Sequence, residues 1–142
     1  MAKKNTPSRR SPVLSAKRPL VLVVEDHDDT RSLLKYLIEG HGCAVIEAED
    51  GEQAVTLADR LGPDLILMDT TLPRMDGIAA ARHIRQMATT NRVPIIFVSG
   101  HSQPEDRAAA LAIGGNDYFV KPVNLSQLET AVERELAASM SQ

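Results

Sequence analysis

Short apolar runs alternate with longer segments of helical period along most of the chain. Five of these runs have the length and composition of β-strands, and they predict strands over residues 20–24, 43–48, 64–68, 94–98 and 116–120. The middle three are apolar at nearly every position, which is typical of strands that are covered on both faces. We therefore expect a central sheet that is buried between two layers.

The segments between and after these runs carry apolar residues three and four positions apart, so each predicts an amphipathic helix. The apolar faces expected for helices one to five are, in order, Leu33, Leu34, Leu37 and Ile38; Ala54, Val55, Ala58 and Leu61; Ile78, Ala81 and Ile84; Ala108, Leu111 and Ala112; and Leu125, Leu128, Val132 and Leu136. Asp50 and Asp76, each followed by glycine, mark the starts of helices two and three, and Ser102 with Glu105 predicts a capping box for helix four.

Strict alternation of strand and helix predicts parallel pairing with right-handed crossovers. The expected fold is therefore α/β, a doubly wound five-stranded parallel sheet with five helices. A chain of 142 residues with 43% hydrophobic and 25% charged residues has the size of one domain with a buried core.

No apolar run reaches the roughly 18 residues that a membrane span requires, and no signal-peptide core is recognisable. We therefore expect a cytoplasmic protein without a membrane span. The single cysteine, Cys43, has no partner for a disulfide and no ligands spaced for zinc, and we interpret it as a small buried hydrophobe.

Charge is unevenly distributed along the chain. Six of the 16 basic residues precede Leu20, where no acid opposes them, which leaves ten basic residues against 19 acidic ones in the remainder. Residues 1–18 also contain proline and serine, so we interpret them as a disordered basic N-terminal tail and residues 19–142 as the folded domain. An acidic domain of this kind is not expected to bind DNA directly.

Polar side chains follow four of the five predicted strands at the point where each strand ends. Glu25 and Asp26 follow the first strand, Asp69 the third, Ser99 the fourth and Lys121 the fifth. Because ligands bind outside the carboxyl ends of the strands in open α/β sheets, we expect these side chains to form one site.

Three carboxylates at one edge of a sheet repel each other unless a cation neutralises them. Mg²⁺ prefers oxygen ligands, so two carboxylates, a backbone carbonyl and a phosphate oxygen form a suitable shell. Lys121 adds a positive charge, and Ser99 adds a hydroxyl donor. This combination favours the transfer of a phosphoryl group to or from a carboxylate oxygen.

Each of these residues has a simpler interpretation when it is taken alone. Asp26 or Asp28 caps the first helix, Asp69 caps a turn, Ser99 satisfies a loop amide, and Lys121 is a surface residue. These interpretations do not explain why acids, hydroxyl and lysine all arrive at the same edge of the sheet. We therefore favour the functional interpretation.

Four segments resemble, in order and spacing, the receiver domain of two-component response regulators, from about Pro19 to the C-terminus. VLVVEDHDDTR resembles the acidic pair of that family, and DLILMDTTLPRMDG resembles its phosphoacceptor strand with the following proline and glycine. IIFVSG resembles its Ser/Thr before a small residue, and DYFVKP resembles its Lys-Pro signature with an aromatic residue three positions earlier. The resemblance implies a flavodoxin-like sheet with strand order 2-1-3-4-5.

The resemblance also implies which residues would bind the phosphoryl group and the metal. Asp69 would be the phosphoacceptor. Asp26 and Asp69 would hold Mg²⁺ together with the backbone carbonyl of Thr71, and Glu25 would act mostly through water. Magnesium is therefore the expected cofactor.

The remaining residues of the motifs would respond to the phosphoryl group. Lys121 would form an ion pair with it, and the peptide bond from Lys121 to Pro122 would be cis. Ser99 would hydrogen-bond the phosphoryl group, and Tyr118 would turn inward when Ser99 moves. Ser99 and Tyr118 would thus be the two residues that move in response to phosphorylation, and we call this pair the switch.

The resemblance implies partners as well. A sensor histidine kinase or a histidine phosphotransfer protein would donate the phosphoryl group, and an effector protein would bind the face of helix four, strand five and helix five. Thr71 and His101 would border the path of the attacking water, which makes His101 a candidate modulator of dephosphorylation. Such a protein is not a turnover enzyme, since it catalyses only its own phosphorylation and dephosphorylation.

Because the chain ends shortly after helix five, we expect a stand-alone receiver without an output domain. A phosphatase related to haloacid dehalogenases would need an acid where this chain has Thr71, two residues after the nucleophile. A nucleotide or flavin binder would need a glycine-rich loop after the first strand. A degenerate receiver that only docks a partner would not need Asp26, Asp69 and Lys121.

Overall fold

Five parallel strands form a single sheet at the centre of the structure, a computed structural model that describes residues 18–140. The strands are β1 (Leu20–Val24), β2 (Ala44–Ala48), β3 (Leu65–Asp69), β4 (Ile95–Ser99) and β5 (Asp117–Val120). Their order across the sheet is β2-β1-β3-β4-β5, which confirms the expected doubly wound fold and strand order. The predicted basic tail falls outside the described residues, apart from Arg18.

Five helices connect and follow the strands: α1 (Asp28–Glu39), α2 (Gly51–Leu61), α3 (Gly77–Gln86), α4 (Pro104–Ala112) and α5 (Leu125–Met140). The predicted starts of α2 and α3 are confirmed, because the side chains of Asp50 and Asp76 each accept a backbone N–H at 2.8 Å. No helix within residues 18–140 is long and apolar enough to cross a membrane.

The predicted capping box of α4 is wrong by one residue. Gln103, not Ser102, precedes the helix, and its backbone N–H donates to the carboxylate of Asp106 at 3.3 Å. Pro104 explains the shift, because proline suits the first helical position, where its missing N–H would have no partner.

The sheet separates two apolar cores. Successive strand residues point to opposite faces, so Leu22 and Val24 pack towards α2, α3 and α4, whereas Val21 and Val23 pack towards α1 and α5. Both faces of the central strands are thus covered, as their continuous apolar runs predict. This burial fixes the strand ends from which the polar residues project.

The predicted apolar face of α4 is wrong. Ala108, Leu111 and Ala112 are exposed, and the buried residue of this helix is Ala110. The helix packs mainly against β5 at the edge of the sheet, so only a narrow strip of its surface is covered. A pattern made largely of alanine carries little information about which strip that is.

Candidate functional site

The five predicted site residues come together at the carboxyl end of the sheet. Asp69 and Ser99 are the last residues of the neighbouring strands β3 and β4. Glu25 and Asp26 follow β1 on the other side of β3, and Lys121 follows β5. The sheet therefore places acids on one side of Asp69, and the hydroxyl and the ammonium group on the other.

Lys121 connects two of the acids. Its ammonium group donates to Asp69 Oδ2 over 2.9 Å and to Glu25 Oε1 over 3.0 Å. Burial alone would lower the pKa of Lys121, but its hydrogen bonds to the two carboxylates outweigh this effect and raise the pKa above its ordinary value. Lys121 thus remains a cation in contact with both acids. The Lys121–Pro122 peptide is cis, as the family resemblance implies.

Glu25 is buried, and two nitrogen atoms of His27 also contact its carboxylate. The backbone N–H of His27 donates to Glu25 Oε2 over 3.1 Å, and His27 Nδ1 lies 2.9 Å from the same oxygen. Burial alone would raise the pKa of Glu25, but the hydrogen bonds from His27 and Lys121 lower it to about 2. Both oxygens of this charged carboxylate are therefore occupied by hydrogen-bond donors.

Asp69 is held through both of its carboxylate oxygens. The backbone N–H of Thr71 donates to Oδ1 over 2.9 Å, and Lys121 donates to Oδ2. Burial raises the pKa of Asp69, and the charge of Glu25 adds to this effect, while the two hydrogen bonds oppose it. The side chain is only 4% exposed, so Asp69 is both oriented and largely shielded from solvent.

The β3–α3 loop, residues 70–76, closes one side of the site. Gly77 follows this loop, and a Cβ at that position would overlap the backbone of Asp69 and Thr70. Arg74 has a φ of 65°, in the left-handed region that few non-glycine residues adopt. Its guanidinium group donates to Asp50 Oδ2 from two nitrogens, at 2.9 and 2.7 Å, which ties the loop to the start of α2.

A group of potential metal ligands surrounds Asp69. Single atoms of Glu25, Asp26, His27 and Asp69 all lie within 4.8 Å of one another. Asp26 Oδ1 is buried and accepts no hydrogen bond within the described residues, with His27 Nδ1 at 3.4 Å as its ion-pair neighbour. A buried carboxylate oxygen without a donor suits a hard cation, so the three carboxylates of this group fit Mg²⁺.

Ser99 is fully buried beside Asp69. Its hydroxyl accepts the backbone N–H of His101 over 3.0 Å, so the simpler loop-amide interpretation describes one of its contacts. The same oxygen lies 2.6 Å from Thr70 Oγ1. The sequence alone gives Thr70 no role, because nothing in it distinguishes a hydroxyl that contacts Ser99 from one that contacts solvent.

His101 links Tyr118 to the β3–α3 loop. Tyr118 is 5% exposed, and its hydroxyl donates to the carbonyl oxygen of His101 over 2.8 Å. On the other side, His101 Nε2 lies 3.0 Å from Thr71 Oγ1. The two residues that are expected to border the path of the attacking water are therefore in direct contact.

The contacts of Glu25 with His27 and of Arg74 with Asp50 are likewise not predicted by the sequence. The acidic pair directly before His27 is a signal for the first contact, because a histidine next to acids readily forms an ion pair with them. Arg74 and Asp50 are 24 residues apart, and only the folded chain brings them together.

Comparisons with known proteins agree with this geometry. A family model described as the response regulator receiver domain matches residues 21–133. Protein PilH of Pseudomonas aeruginosa is 33% identical over 117 residues, which cover 82% of this chain and 97% of PilH. The phosphate regulon transcriptional regulatory protein PhoB of Escherichia coli is 33% identical over 113 residues, which cover 80% of this chain and 49% of PhoB. The chain thus spans about half the length of several transcriptional regulators that it matches.

A solved structure with the same fold is the receiver domain of sensor histidine kinase PA1611 from Pseudomonas aeruginosa. The TM-score is 0.78 and the identity 35%, and the match covers 85% of this chain and 99% of that chain. That structure has a magnesium ion coordinated in the active site cleft.

Proposed function

Because the chain belongs to the response regulator receiver family, we propose that Asp69 accepts a phosphoryl group and that the protein signals through its phosphorylated state. The observation that carries this proposal is the contact of Lys121 with Asp69 Oδ2 at 2.9 Å, beside the acids that follow β1. A buried carboxylate with an ammonium group, a hydroxyl and neighbouring acids has the components that phosphoryl transfer requires.

In the proposed reaction, a carboxylate oxygen of Asp69 attacks the phosphorus atom of a phosphohistidine on a sensor kinase or phosphotransfer protein. The new O–P bond forms as the N–P bond breaks, and the histidine nitrogen leaves with the electron pair and takes up a proton. Lys121 balances the charge of the transferred oxygens. When water later attacks the phosphorus, inorganic phosphate leaves and the Asp69 carboxylate is restored.

Asp26 and Asp69 are proposed to hold Mg²⁺ with the backbone carbonyl of Thr71, and Glu25 is proposed to act mostly through water. The buried Oδ1 of Asp26, which accepts no hydrogen bond within residues 18–140, supports this assignment. Glu25 is already engaged by Lys121 and His27, which agrees with an indirect role. When bound, the ion neutralises negative charge on the phosphoryl oxygens.

Ser99 and Tyr118 are proposed to pass the signal from the site to the surface. The backbone N–H of His101 donates to Ser99, and the carbonyl of His101 accepts the Tyr118 hydroxyl, so a movement of Ser99 would reach the tyrosine. Arg107 of α4 donates to the carbonyl oxygen of Tyr118 over 3.0 Å. These contacts support the face of α4, β5 and α5 as the surface that binds an effector protein.

Thr71 and His101 are proposed to influence how long the phosphoryl group survives. Their side chains meet at 3.0 Å, and Thr71 and His101 lie two residues after Asp69 and Ser99, which supports a position close to the phosphoryl group. The test is to remove the phosphoryl donor and to follow the loss of phosphorylated mass with time in wild type and in His101→Ala. Equal rates of loss in the two proteins would contradict this role.

The phosphoryl donor, the effector protein and the cytoplasmic location are predictions that follow from this function. Phosphoryl transfer from a purified histidine kinase would test the donor. Fractionation of cells that produce the protein would test the location. Direct DNA binding by residues 19–142 is not expected, because this region carries a net negative charge.

The central experiment is incubation with Mg²⁺ and acetyl phosphate, followed by measurement of the intact mass. We expect the mass to rise by one phosphoryl group in wild type and not in Asp69→Asn, and a chelator should suppress the gain. Asp59→Asn, which removes an exposed carboxylate of α2, is the matched control and should be phosphorylated like wild type. An unchanged mass of wild type would contradict the proposal and would favour a protein that only docks a partner.

A further inference from the structure

Thr70 is a residue of the site that has no role in the reaction described above. It follows Asp69 directly, its side chain is buried, and its Oγ1 lies 2.6 Å from Ser99 Oγ. This distance indicates a short hydrogen bond between two hydroxyl groups. The question is which hydroxyl donates, because the proposed switch requires Ser99 to donate to the phosphoryl group.

The donor follows from the hydrogens and lone pairs that each hydroxyl has available. A serine hydroxyl has one hydrogen and two lone pairs, and one lone pair of Ser99 accepts the backbone N–H of His101. Ser99 is 0% exposed, so its hydrogen needs an acceptor within the protein, and Thr70 Oγ1 is the acceptor that the described residues supply. Thr70 lines the groove between α3 and α4 and is 8% exposed, against 0% for Ser99, so its own hydrogen has the readier access to solvent. We therefore assign Ser99 as the donor in this pair.

We propose that Thr70 is a positioning residue that retains the hydroxyl hydrogen of Ser99 and so competes with the phosphoryl group for it. The inference rests on the proposed function, in which Asp69 is phosphorylated and Ser99 binds the phosphoryl group. Ser99 must give up its hydrogen bond to Thr70 before it can donate to a phosphoryl oxygen. Thr70 thereby weakens the hold of the site on this group and favours the unphosphorylated state.

The proposal predicts an effect of opposite sign to that of an ordinary site mutation. Thr70→Val keeps the shape of the side chain but removes the acceptor, which leaves the Ser99 hydrogen buried and unpaired in the resting protein. A phosphoryl group would pair that hydrogen again, so the variant should bind such a group more tightly than wild type does. Thr70→Ser retains the acceptor and should behave like wild type.

Beryllium fluoride in the presence of Mg²⁺ provides a stable mimic of the phosphoryl group, and its dissociation constant can be measured by ¹⁹F NMR. We expect Thr70→Val to bind it about tenfold more tightly than wild type, which corresponds to about 1.4 kcal/mol. Thr70→Ser should remain within about twofold of wild type. In a Ser99→Ala background, Thr70→Val should have almost no effect, because the hydrogen for which Thr70 competes is absent.

Each outcome decides the inference. Unchanged or weaker binding by Thr70→Val would overturn it, and so would an equal gain in the Ser99→Ala background, which would indicate a general effect on packing. Thermal unfolding checks that the variants are folded, and Thr70→Ala removes the same hydroxyl if valine is not tolerated. Failure of the wild type to bind the mimic and to react with acetyl phosphate would reject the proposed function and, with it, this inference. If the wild type reacts with acetyl phosphate and binds the mimic, but Thr70→Val binds the mimic no more tightly, only this inference is rejected and the proposed function stands.

Discussion

Replacing Gly77 with alanine sets two opposed effects against each other at the start of α3. Alanine favours a helix over glycine by about 1 kcal/mol. Its Cβ, however, would overlap the carbonyl oxygen of Asp69 and the Cα of Thr70, which are backbone atoms that cannot rotate away. Overpacking of this kind costs about 3 kcal/mol when the surroundings are rigid. We therefore expect the free energy of unfolding to fall by about 2 kcal/mol.

Urea unfolding followed by far-UV circular dichroism is the appropriate assay for Gly77→Ala, because the chain contains no tryptophan. A loss of about 2 kcal/mol should lower the urea midpoint by roughly 1 M. Gly100→Ala is the control, since a Cβ there meets no atom within 4 Å and should leave the midpoint nearly unchanged. The displaced backbone carries Asp69, so phosphorylation by acetyl phosphate should also slow. A Gly77→Ala protein as stable as wild type would refute the reasoning.

Three further predictions concern the site and the surface. His41 lies 2.7 Å from Glu129, and this hydrogen bond raises the pKa of His41. The stability that it provides should be complete below about pH 6.5, the ordinary histidine pKa, and should disappear as pH rises through the raised folded-state pKa. The difference in unfolding free energy between wild type and His41→Gln should therefore shrink towards alkaline pH, and a constant difference would contradict this. Asp26→Asn should weaken Mg²⁺ binding at least about tenfold in an NMR titration; an unaltered dissociation constant would remove Asp26 from the metal site. Tyr118→Ala should still be phosphorylated but should bind an effector protein less tightly in a pull-down, and equal capture with wild type would exclude Tyr118 from the switch.

The order of the elements and the residues at the strand ends could be predicted because they depend on local patterns. An apolar run that stops at a polar residue indicates the end of a buried strand, and this is where Asp69 and Ser99 lie. Parallel pairing then requires these ends to meet at one edge of the sheet. No knowledge of side-chain geometry is needed for that step.

The errors and omissions concern properties that depend on tertiary contacts. The buried strip of α4 is set by the edge strand that it covers, so Ala110 could not be distinguished from the neighbouring alanines. The hydrogen bond between Thr70 and Ser99 joins residues of different strands and loops, and it has no signature along the chain. The contact of Arg74 with Asp50 likewise depends on how the loop meets α2.

The ion pair between Arg74 and Asp50 has a consequence for building chimeric receivers. The loop of residues 70–76 and the start of α2 must be transplanted together, although they are separate in sequence. A host that receives this loop must supply an acceptor at position 50, and it must keep glycine at position 51, where a Cβ would overlap the backbone of Met75. A graft with glycine in place of Arg74 would accept the φ of 65° without such a partner, and it would suit hosts that lack the aspartate.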